Sequence, residues 1–116
     1  MRAHLAILAT AAALLPTPSR SAVPLPHDIV DRSDPEGRAV NCAAYLGHEI
    51  NAVPRAARPP LIAAMRAWRA DLERRRSKDE ADQYFASTFA VLRDTPPRTL
   101  RAAAAYCRAS APRPGR

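Results

Sequence analysis

Cys42 and Cys107 lie 65 positions apart, and each falls on the apolar stripe of a different predicted helix. Two inward-facing thiols near opposite ends of a short helical chain restrict its folding, because a bond between them fixes the first helix against the last. Whether they bond depends on the compartment, and the N-terminus speaks to that. Arg2 and His4 precede an apolar or small run from Leu5 to Leu15 broken only by Thr10, and a polar segment from Pro16 to Ala22 follows. The run is well short of the ~20 residues that span a bilayer, and its basic flank fits a secretory signal. Ser19 and Ser21 place small residues at both cleavage-recognition positions, so residues 1–21 are expected to be removed before Ala22. No cysteine follows the run, which argues against a lipid anchor, and no later segment is apolar for long enough to span a membrane. An exported chain meets oxidising conditions, and its cysteine pair is most simply a structural disulfide.

About 95 residues remain after such a cut, enough for one small domain. Hydrophobic residues make up 47% of the chain, but much of that is alanine and only 5% is aromatic, so the core must be thin. The formal charge of +7 becomes +5 once Arg2 and Arg20 leave with the signal. Export argues against nucleic acid as a partner despite this charge.

Residues 22–33 read as an extended leader, because Pro24 and Pro26 bias the backbone toward polyproline II. Four helices follow. Asp34 caps the first, with Pro35 at its first position and Glu36 in its first turn; Pro54 ends it by Val53. Ala39, Cys42, Ala43, Leu46, Ile50 and Val53 share one face, with Asn41 and His48 pointing away from it. The second helix starts near Pro59-Pro60 and runs to about Arg76, with Leu61, Met65, Trp68 and Leu72 as its stripe and Trp68 in the core. Ser77 and Glu80 form a capping-box pattern that starts a third, although no Gly or Pro rules out one continuous kinked helix. Its stripe is Ala81, Tyr84, Phe85, Thr88, Phe89 and Leu92, and it stops before Pro96. The fourth spans about 97–109, with Leu100, Ala103, Ala104 and Cys107 inward. Residues 110–116 read as a disordered basic tail.

No segment alternates with period two, so the class is all-α. Short connections favour a small up-down bundle of about four helices over residues 34–109, closed by one long-range disulfide. Closing a loop of this length is worth roughly 4 kcal/mol in the chain-entropy model, comparable with the whole stability of so small a domain.

Few residues offer chemistry. Cys42 and His48 project about 120° apart on one helix, which does not make a nucleophile–base pair. After the signal only His27 and His48 remain as imidazoles, in different segments, and no metal-ligand spacing is present. The three glycines are isolated, so there is no phosphate loop, and no cofactor is expected. On the second helix Arg66, Arg69 and Arg76 share one side and form the candidate anion-binding patch. Against it, Asp71 can pair with Arg75 at i+4, and Glu73 lies between Arg69 and Arg76.

In overall shape an exported helical bundle with one long-range disulfide resembles the small periplasmic acid-stress chaperones. It is also similar to periplasmic immunity proteins that neutralise secreted toxins, some of which carry a Cys-Tyr-Gly cluster like Cys42-Ala-Ala-Tyr45-Leu-Gly47. The expectation is an exported, periplasmic or extracellular, non-enzymatic protein that binds a protein partner. The alternatives are a stress holdase and a weak binder of anionic surfaces.

Overall fold

The computed structural model describes residues 23–113; the expected signal peptide, residues 1–21, and the end of the tail lie outside them. The chain is all-α, with no strand among the described residues. Its elements are α1 (His27–Val30), α2 (Pro35–Ala52), a 3-10 turn (Arg55–Ala57), α3 (Arg58–Arg75), α4 (Lys78–Leu92) and α5 (Pro97–Ala109).

Local sequence explains each boundary. The Asp34 carboxylate accepts from the Gly37 N–H at 3.0 Å and Pro35 occupies the first turn, so α2 starts where its cap dictates. It ends at Val53, extended at φ −110° and ψ 160° ahead of Pro54. At Ser77 the hydroxyl accepts from Glu80 N–H at 3.2 Å, and Glu80 Oε1 accepts from Ser77 N–H at 3.1 Å. Arg76 and Ser77 are both extended, so α3 and α4 are two helices and not one kinked rod.

Within this small bundle α2 is the helix on which all the others pack, while α3 also touches α4 and α5. A helix surrounded in this way is buried on nearly every side along its middle, residues 39–47. The expected stripe of α2 is indeed inward, but Val40, Ala44, Tyr45 and Gly47 are buried as well. Asn41 turns back to donate to the Gly37 carbonyl at 2.8 Å. His48 does not point away from the core as its helical position implied. It is half-buried, because α4 packs against that side of α2.

Gly47 permits this approach. A Cβ there would meet Phe89 ring carbons at 3.1 and 3.3 Å and Phe85 Cζ at 3.5 Å. The Phe89 ring stacks flat on His48, with centroids 3.8 Å apart and planes 2° from parallel.

Three helix ends are closed by side chains from elsewhere. The last carbonyls of a helix lack in-helix donors and need partners when buried. Arg58 Nε donates to Val53 O at 3.2 Å, His48 Nε2 to Phe89 O at 2.7 Å, and Trp68 Nε1 to Cys107 O at 2.8 Å. The first ties α3 back to the end of α2, and the other two tie α4 and α5 to their neighbours.

Both termini of the folded unit reach further than the sequence reading placed them. The leader expected to be extended contains the helical turn α1, and Ile29 is fully buried in the core with Leu25 packed beside it. Asp31 stops that turn by accepting from Ser33 N–H at 2.9 Å and its hydroxyl at 2.7 Å, which holds the Asp31 carboxyl below its usual range. The adjacent pair Ile29-Val30 between polar residues is too short to show a helical period, but Ile29 anchors the segment. In the expected disordered tail, Ser110 donates to Tyr106 O at 2.7 Å and Ala111 packs against the core; the structure describes the tail only to residue 113.

Candidate functional site

Cys42 and Cys107 are bonded, with Cα atoms 5.3 Å apart, and both are fully buried. The bond joins α2 to α5 as expected, deep inside the bundle. His48 is committed to the Phe89 carbonyl and ring. Among the described residues no group of three or more His, Cys, Asp or Glu converges as a metal site would, and no helix is long and apolar enough to cross a membrane.

The candidate anion patch does not stand as one surface. Arg69 bonds Asp82 of α4, and its guanidinium lies 4.6 Å from the centroid of the Phe85 ring. Arg76 grips Glu36 of α2 in a two-point pair at 2.7 and 2.9 Å and lies 5.0 Å from the Tyr84 ring centroid. Both face neighbouring helices as clamps; Arg66 alone of the three is exposed without an ion pair among the described residues. The Arg76 hydrogen bond holds the Glu36 carboxyl below its usual range, and Lys78, with Arg69 behind it, does the same for Asp82. Asp71 takes Arg75 as expected, at 3.1 Å, and also Arg74 at 2.6 Å. Glu73, expected between Arg69 and Arg76, makes no ion pair among the described residues, because Asp82 and Glu36 reach those arginines first.

The unneutralised charge lies elsewhere. Residues 23–94 hold eleven basic and eleven acidic side chains, a balance of zero. Beyond residue 94 come Arg98, Arg101, Arg108, Arg113 and Arg116 and no acid at all. The entire +5 remaining after the expected cut therefore sits on α5 and its tail. This segregation is legible in the sequence once charge is counted by segment; a search for clustered arginines on one helix passes over it.

Geometry makes that helix a candidate site. A groove of about 470 Å³ runs between α5 and the junction of α2 with α3. Val53, Leu61, Ala104 and Ala105 give it an apolar floor. Arg101 and Arg108 stand on the α5 edge, both exposed and neither in an ion pair among the described residues; half-buried Glu49 stands on the α2 edge. Apolar area flanked by unpaired charges is suited to holding a ligand by desolvation and in one orientation. Comparison of the chain with family models, with curated proteins and with solved structures finds no match.

Proposed function

We propose that this chain is an exported, non-catalytic binding protein of the bacterial envelope, and that it engages a protein partner through the face formed by α5 and the α2–α3 junction. The observation that carries the reading is the groove beside α5, where an apolar floor meets two arginines that make no ion pair among the described residues. Arg69, Arg74 and Arg75 of α3, and Arg76 at its end, are paired with Asp82, Asp71 and Glu36, so apart from Arg66 they offer a weaker surface. Export is supported by the basic start, short apolar run and Ser19/Ser21 pair, and a fully buried disulfide is compatible with it. The absence of catalysis is supported by occupancy: both thiols are bonded to each other and the described imidazole of α2 is held by a carbonyl.

A photo-crosslinking residue at Ala105, on the groove floor, tests this in the native host. The reading expects one specific adduct from Ala105 and none from the same probe at Ala86, which is exposed on α4. Adducts from Ala86 and none from Ala105 would move the working face to the other side of the bundle.

A second reading, an acid-triggered holdase, is favoured by the Glu36–Arg76 and Asp82–Arg69 clamps, which join α3 to α2 and α4 and are lost when the carboxylates protonate. It expects client aggregation to be suppressed at acid pH only. Suppression that is equal at neutral pH, or missing at both, removes it.

A further inference from the structure

Resting on the docking face proposed above, we propose that its occupant is an acidic amphipathic helix of the partner protein. Arg101 and Arg108 are seven residues apart on one edge of α5, two helical turns or about 10 Å along the axis. A partner helix lying along the groove presents carboxylates at the same seven-residue spacing, each facing one guanidinium. The floor suits a helix because Ala104, Ala105 and Ala109 keep the α5 surface low and let a second backbone approach closely. Half-buried Val53 and exposed Ala105 and Ala109 then bury against the apolar stripe of the visitor, over Leu61 of the core, in the manner of a helix laid in a groove.

Charge settles the choice of occupant. The groove is bounded by a segment with five arginines and no acid, so an acidic ligand is attracted over the whole length of α5. Glu49 stands on the opposite edge and calls for one basic residue on the far side of the visiting helix, which fixes its orientation. The same Glu49 disfavours an anionic bilayer, which is flat, meets that carboxylate with like charge and leaves the recessed Val53 and Leu61 uncovered. The chain's own tail is excluded by its arginines, Arg113 and Arg116.

The test uses the mature, disulfide-bonded protein and a fluorescently labelled helical peptide with Glu seven residues apart beside a Leu/Ala stripe and one Lys opposite. A matched peptide carries Lys in place of Glu. The acidic peptide is expected to bind and to weaken with added salt. Arg101→Glu with Arg108→Glu should lower its affinity roughly tenfold or more and create binding to the Lys peptide. Both arginines are exposed, so helicity and melting should be unchanged; Arg101→Gln with Arg108→Gln, expected to weaken the acidic peptide without recruiting the basic one, covers a reversed variant that fails to fold. Equal binding of the two peptides, binding of neither, or preference for phosphatidylglycerol vesicles over the acidic peptide would overturn the proposal. So would a dimer of the chain that the charge reversal dissolves. A partner that crosslinks at Ala105 yet ignores the reversal overturns the acidic helix alone, whereas no crosslink at Ala105 removes the docking face itself.

Discussion

The indole N–H of Trp68 donates to the main-chain oxygen of Cys107 at 2.8 Å, so one residue of α5 is held by α3 through its backbone and by α2 through its sulfur. The carbonyl is free to accept because α5 stops two residues later and the Ala111 N–H turns to Arg108 O instead. Cys42→Ser should destabilise the fold by about 2–5 kcal/mol. Trp68→Phe, which leaves a buried carbonyl unsatisfied, should cost about 1–3 kcal/mol. Because both act on one turn of α5, chemical denaturation of the double variant should show a clear departure from additivity.

Ile29 is fully buried although it belongs to a four-residue helix at the edge of the fold. Ile29→Ala should therefore destabilise by about 2–5 kcal/mol, the range for truncating a core side chain. Val30, exposed by 43%, should tolerate the same change within about 0.5 kcal/mol. Equal, negligible effects on thermal melting would show that the leader does not stay docked in solution.

At Gly47, alanine gains up to about 1 kcal/mol of helix propensity. Its Cβ, however, meets the Phe89 ring at 3.1 Å, and that ring cannot withdraw without leaving the His48 face it stacks on. Overpacking of this kind costs about 1–3 kcal/mol, so Gly47→Ala should be net destabilising. Gly47→Ala combined with Phe89→Leu should recover part of the loss in a melting assay.

Stability should fall at both ends of the pH scale. Glu36 and Asp82 have carboxyls held below their usual range by Arg76 and by Lys78 with Arg69, so their contribution is present above about pH 4 and disappears as pH falls through the lowered values. Glu36→Gln should flatten the acid limb of a melting-temperature profile. Burial, with a smaller push from Asp28, raises the Tyr45 hydroxyl to about 12. Its contribution, on the order of 2 kcal/mol, is present below about pH 10 and is lost as pH rises toward 12. Tyr45→Phe should remove that alkaline loss, seen as a flat unfolding free energy where the parent declines.

Arg66 and Arg69 of α3 should separate under mutation. Arg66→Gln should be silent in stability, because the side chain is exposed and makes no ion pair among the described residues. Arg69→Gln loses its contact with the Phe85 ring, worth about 0.5–1 kcal/mol, together with the bond to Asp82. Denaturant midpoints for the single variants distinguish clamps from a uniform patch, which would show no such ranking.

Local sequence by itself determined the all-α class, the ends of α2, the cap that starts α4 and the cysteine pairing, though not the turn α1. Caps act through bonds three residues long, Asp34 with Gly37 and Ser77 with Glu80, and Pro54 acts as a stop on the residue before it. The thiols were legible because both sat on inward stripes of helices whose small residues invite close contact. The segregation of charge onto α5 was equally available in the sequence, since counting needs no coordinates. Only the tertiary structure decided what periodicity cannot encode. That the middle of α2 is enclosed depends on where the other helices land, and so does the pairing of His48 with Phe89 across 41 positions. Arg69 and Arg76 looked like a solvent-facing patch on an isolated helix; they became clamps because folding brings Asp82 and Glu36 to them, from 13 and 40 positions away. The groove beside α5 is of the same kind. Its floor combines residues of α2, α3 and α5 that lie far apart in the chain, and no local signal records that their side chains leave a space between them.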